Sequence, residues 1–127
     1  MVEVKFIDAI EIISERLEKE QIKWALVGST NMALQGMDTN PHDLDVVMRF
    51  KDLDKMRLIF SEYDPSPVTK LEKPIANEVW DVKVNICGVE VQIFGEKDSG
   101  VYVSKLLGYK LTNLKIKTFE IPCFTLE

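Results

Sequence analysis

Apolar residues Phe6, Ile10, Ile13 and Leu17 recur at spacings of four, three and four, which marks residues 4–20 as one amphipathic helix. Its other face, with Glu11, Glu15, Glu18 and Lys19, is expected in solvent, so the helix packs on a sheet through a single stripe. The short apolar run at 24–27 predicts a strand. Ser29 then opens a short helix of small residues in which Ala33 and Leu34 pack inward and Gly36 is the stop. Residues 37–42, with Asp38, Thr39, Asn40 and Pro41, have loop composition and deliver the chain to Asp43-Leu44-Asp45 and a second apolar strand.

The pattern changes again after that strand. Asp52 is placed to cap a helix over 53–63 with Leu53, Met56, Ile59 and Phe60 inside, and Asp64-Pro65 ends it. Prolines 65, 67 and 74 punctuate an irregular stretch whose Lys70 and Lys73 belong to the surface or to a phosphate contact. Strict alternation over 80–94 predicts a hairpin with Cys87-Gly88 as its turn. A two-residue loop sets Ile86 opposite Val89, Asn85 opposite Glu90 and Lys83 opposite Gln92, so the polar side carries Asp81, Lys83, Asn85, Glu90 and Gln92. Residues 101–127 are the least patterned: 104–109 read as a helical turn, 115–119 as an edge strand and 121–127 as the approach to a C-terminal helix.

The fold class expected from these elements is α/β (α+β), a small mixed sheet with helices packed on it, in one domain over 1–127. The content is that of an ordinary globular chain, 46% hydrophobic and 29% charged, and no apolar run is long enough to span a bilayer. A basic-then-apolar leader is also lacking, so the cytoplasm is the expected compartment. With a formal charge of -5 the chain is not expected to grip nucleic acid generally, since that affinity comes from lysine and arginine displacing counterions. Cys87 and Cys123 are each expected as buried free thiols, and with His42 the only histidine, zinc of the usual kind is not expected.

The candidate chemistry lies between the first two strands. Residues two apart on a strand share a face, so Asp43 and Asp45 stand side by side while Leu44 and Val46 anchor the strand in the core. Like charges held together raise one pKa unless a cation sits between them, and an oxygen-only carboxylate pair suits Mg²⁺ bound together with substrate phosphates. Gly28 permits close backbone approach, and the amides of Ser29 and Thr30 are free donors at a helix start, an anion seat. Ser29 has a second reading, as a plain N-cap.

Val27-Gly28-Ser29, thirteen intervening residues and Asp43-Leu44-Asp45-Val46 together resemble the signature of the nucleotidyltransferase superfamily that includes DNA polymerase beta. Ala33-Leu34-Gln35-Gly36 and His42-Asp43 resemble its small prokaryotic members. The resemblance implies a nucleotidyltransferase-like fold, a nucleoside triphosphate as substrate with Mg²⁺ in a two-metal site, Asp43 and Asp45 as metal ligands, and Gly28, Ser29 and Thr30 at the phosphates. It implies transfer of a nucleotidyl group to an acceptor hydroxyl that the sequence does not name, with a protein partner or a second copy of the chain left open. The family's third carboxylate, on a neighbouring strand, falls on Gln92. Glu90 shares that face but lies roughly 6.6 Å along the strand. Loss of one negative charge beside a divalent ion predicts transfer weakened roughly a hundredfold, and a degenerate domain that binds nucleotide or a protein partner without chemistry is the alternative.

Overall fold

The computed structural model describes residues 2–72, 79–97 and 111–125. Helix α1 is Val4–Lys19, and its buried residues include Phe6, Ile10, Ile13 and Leu17, the expected stripe. Strand β1 (Trp24–Val27) runs straight into helix α2 (Gly28–Leu34), and β2 (Leu44–Arg49) follows the loop. A 3-10 turn at Phe50–Asp52 leads into α3 (Leu53–Ile59), and a second at Ser61–Tyr63 follows it. The remaining strands are β3 (Thr69–Lys70), β4 (Val79–Ile86), β5 (Val89–Glu96), β6 (Leu111–Ile116) and β7 (Phe119–Phe124).

These strands form one mixed sheet in the order β3-β4-β5-β2-β1-β7-β6. At its centre β2 pairs antiparallel with β1 and parallel with β5. One face buries Trp24 and Leu26, Leu44, Val46 and Met48, Val82 and Val84, Val91 and Ile93 against the α1 stripe and Leu53, Met56 and Phe60. The opposite face carries the polar positions of β2, β4 and β5, with a smaller apolar cluster of Ala25 and Val47 joined by Val27, Phe94, Leu111 and Phe124. No described helix is long and apolar enough to cross a membrane.

Several expectations need correction. The helix over 53–63 is broken into α3 and a 3-10 turn, and Asp52 makes no side-chain cap bond because it already continues the preceding 3-10 turn in helical geometry. Asp64 does end the segment, in the left-handed region at φ 55°. The stretch after Pro67, expected to be irregular, contributes the edge strand β3. The edge strand expected at 115–119 straddles the turn between β6 and β7, and in place of the approach to a C-terminal helix stands β7, hydrogen-bonded beside β1 with Leu26 against Cys123. Cys87 is exposed in its turn rather than buried, whereas Cys123 is buried, and both are free. The helical turn expected at 104–109 and Lys73 lie outside the described residues.

Gly95 shows how tightly α3 sits on the sheet, because a Cβ there would collide with the Leu53 side chain. Leu53 is 1% exposed and has nowhere to retreat. Gly95→Ala should therefore cost about 1–3 kcal/mol of stability in a denaturant titration. A variant as stable as the parent would show that α3 is free to shift.

Candidate active site

The expected hairpin register holds residue for residue: Ile86 pairs with Val89, Asn85 with Glu90, and Lys83 with Gln92. The parallel pairing of β2 with β5 then sets Asp45 directly beside Gln92, after Leu44 beside Val91. Counting back one step sets Asp43 beside Glu90. On the other flank Val27, the last residue of β1, pairs with Asp45, so the chain enters α2 next to that carboxylate. Gly28, Asp43, Asp45, Glu90 and Gln92 thus converge on one end of three adjacent strands, on the face away from α1 and α3.

The entry into α2 is fixed by close approach. Gly28 has φ 76°, in the left-handed region, and a Cβ added to it would collide with Asp45 Oδ2. The glycine is needed to make room for the carboxylate, a reason beyond the phosphate approach expected from sequence. Ser29 is not the N-cap, since Val27 occupies that position in extended geometry with no side-chain cap bond. Thr30 is fully buried, and its hydroxyl donates to the Asp43 carbonyl at 2.6 Å. Its side chain therefore ties the start of α2 to the start of β2, leaving only its backbone amide for a ligand.

Helix α2 is held from below by polar side chains. Leu34 packs partly buried against the core, as expected, and Ala33 is also partly buried, but the fully buried residues are the polar Thr30 and Asn31. Asn31 Nδ2 and Gln35 Nε2 each donate to the Phe124 carbonyl at 2.9 Å, which fastens the helix to β7. The helix closes with Gly36 N–H on the Ala33 carbonyl at 3.1 Å and Met37 N–H on the Met32 carbonyl at 3.0 Å, the paired bonds of a helix stop.

Asp45 is electrostatically strained. Burial first, then the charges of Asp43 and Glu90, push its carboxyl up to about 6 from an ordinary 3.8. An oxygen-only pair of mutually repelling carboxylates fits a hard divalent cation whose other ligands come from a substrate's phosphates. Among the described residues no group of three or more His, Cys, Asp or Glu is arranged to hold a metal by itself. Glu90 is near enough to act on Asp45 but is not gathered with the pair as a third ligand.

Gln92 is engaged elsewhere. Its Nε2 donates to Asp81 Oδ2 at 2.8 Å, and Asp81 is 7% exposed. Lys83 is the backbone partner of Gln92, as expected, yet the side-chain bond is diagonal, to the residue two positions back on β4. The sequence places Asp81 on the polar hairpin face without giving it a role; the reach between diagonal neighbours on one sheet face is the signal that points to it.

The chain matches a family model described as aminoglycoside-2''-adenylyltransferase over residues 9–127. No curated protein matches it. Among solved structures it is similar to a candidate nucleotidyltransferase from Thermotoga maritima, with a TM-score of 0.75 and 22% identity over 99% of this chain and 81% of that one. It is also similar to the lincosamide antibiotic adenylyltransferase LnuA in its lincomycin-bound form, with a TM-score of 0.58 and 12% identity over 93% of this chain and 79% of the other. Both show the nucleotidyltransferase fold.

Proposed function

The chain belongs to the aminoglycoside-2''-adenylyltransferase family, and from that premise we propose that it binds a nucleoside triphosphate with Mg²⁺ and moves the nucleotidyl group to an acceptor hydroxyl. The observation that carries this reading is the convergence of Gly28 and Asp45: the backbone turn into α2 lies against the carboxylate of β2, so an anion at the turn and a cation at the carboxylates would be neighbours.

Asp43 and Asp45 would hold the cation, which when bound neutralises the triphosphate and its pyrophosphate leaving group. The backbone at Gly28 and Ser29 seats the phosphates, aided by free amide donors. Thr30 holds the two halves in register through the Asp43 carbonyl. The acceptor oxygen attacks the α-phosphorus and its hydroxyl proton passes to solvent, while the bond to the bridging oxygen breaks and pyrophosphate leaves with that electron pair. The names of the family and of LnuA direct the acceptor search to small hydroxyl-bearing antibiotics.

A second reading, binding without chemistry, rests on Gln92. The position beside Asp45 holds a neutral amide already bonded to Asp81, so a carboxylate base to draw the proton from the acceptor is lacking there. Release of pyrophosphate from ATP with a panel of aminoglycosides and lincosamides separates the two. Acceptor-dependent release supports transfer; tight triphosphate binding with no release for any acceptor supports the binding-only domain.

A further inference from the structure

Asp81 lies outside the sequence motif and one strand away from the residues that the motif names. It is nearly buried on β4, diagonal to Gln92 across the β4–β5 pair, and its Oδ2 accepts the Gln92 Nε2 hydrogen bond at 2.8 Å. With Oδ2 as the acceptor, the bond selects the orientation in which the Gln92 amide nitrogen faces β4. The amide's other atom, Oε1, is then left for the opposite side of β5, where Asp45 is the direct neighbour on β2. A free glutamine amide would have no such preference.

We propose that Asp81 is a positioning residue of this site: it fixes the Gln92 amide so that Oε1 is presented beside Asp45 as a neutral oxygen ligand for the cation of the nucleotide complex. This inference rests on the proposed nucleotide-binding function. The site then consists of two charged ligands, one neutral ligand, and a third carboxylate displaced one strand outward and linked through the amide. A glutamate in place of Gln92 is accordingly not a simple restoration of the missing acid. It would set two carboxylates at hydrogen-bond distance in a half-buried setting, and one substitution would have to be answered by another.

The pair can be exchanged without changing its shape, because Gln92→Glu and Asp81→Asn are both isosteric. In the double variant the introduced asparagine on β4 donates to the introduced glutamate on β5, and the negative charge moves inward beside Asp45. The unaltered protein, both single variants and the double variant are compared by thermal melting without divalent ions and by calorimetric titration of Mn²⁺ with a nonhydrolysable ATP analogue. Gln92→Glu alone should lower the melting temperature by about 5 °C, and adding Asp81→Asn should recover most of that loss. Asp81→Asn alone should weaken Mn²⁺-dependent binding of the analogue roughly threefold, and the double variant should bind Mn²⁺ roughly tenfold more tightly than the unaltered protein. A merely structural pair would couple in melting and leave cation affinity unmoved, which overturns the proposal. Additive melting shifts with normal analogue binding overturn the role of Asp81 alone. Failure of the unaltered protein to bind the analogue at all overturns the proposed function, and the ligand role of Gln92 with it.

Discussion

Asp45→Asn is expected to stabilise the ligand-free protein near neutral pH and to weaken Mg²⁺-dependent triphosphate binding by at least roughly a hundredfold, two effects of opposite sign from one oxygen-to-nitrogen change. The Asp45 carboxyl titrates at about 6 in the fold, above its ordinary 3.8, because burial and the charges of Asp43 and Glu90 oppose ionisation. The folded state therefore holds the proton more tightly than the unfolded chain does. Stability attached to that proton is complete below pH 3.8 and is lost as the pH rises through about 6. The difference sets a ceiling of ~3 kcal/mol, and partial solvent access at the carboxylate reduces it to about 1–2 kcal/mol. Asparagine removes the penalty, so its stability should be flat across that window where the parent's declines. Denaturant titrations from pH 4 to 8 without divalent ions supply the first half of the result, and calorimetry with triphosphate and Mg²⁺ the second. A strongly destabilised asparagine variant with normal nucleotide affinity would make Asp45 a structural residue.

Gly28→Ala should disable the same site from the other side. A left-handed backbone costs a residue with a Cβ about 1–2 kcal/mol, and the new carbon would collide with Asp45 Oδ2. Either the turn opens or the carboxylate swings away, and each outcome separates the anion seat from the cation ligands. The expected loss of triphosphate affinity is at least roughly fiftyfold, with a melting temperature lower by about 5–10 °C. Gly28→Val, with its branched side chain, should be worse in both respects. Analogue titration and thermal melting on the same preparation read both effects. An alanine variant that melts like the parent and binds the analogue unchanged would remove Gly28 from the site.

Much of this arrangement is legible without coordinates. The two-residue turn Cys87-Gly88 admits one pairing of the flanking alternation, and the hairpin follows it through Lys83 and Gln92. The two faces of β2 are equally plain, with Leu44 and Val46 in the core and Asp45 on the other side. The end of the chain is not legible, because Pro122 argues locally against a strand; it lies in β7, opposite Asn113, where the pairing with β6 and the amide clasp from Asn31 and Gln35 hold the backbone. Helix α2 misleads for a related reason. Leu34 packs on the core, but the fully buried residues Thr30 and Asn31 are polar, and a helix held largely by hydrogen bonds to a neighbouring strand leaves little apolar stripe in the sequence. The Gln92–Asp81 bond lies one diagonal beyond the direct cross-strand partner that the hairpin register names.

The Gly28 turn and the Asp43–Asp45 pair are proposed to receive, together, a nucleoside triphosphate with its cation. Calorimetric titration of the unaltered protein with a nonhydrolysable ATP analogue, with Mg²⁺ and again with the metal chelated, tests that claim most directly. Saturable binding that needs Mg²⁺ and disappears in Asp45→Asn is the result expected, whereas no binding by the folded protein in either condition, or binding indifferent to both Mg²⁺ and Asp45, would contradict it.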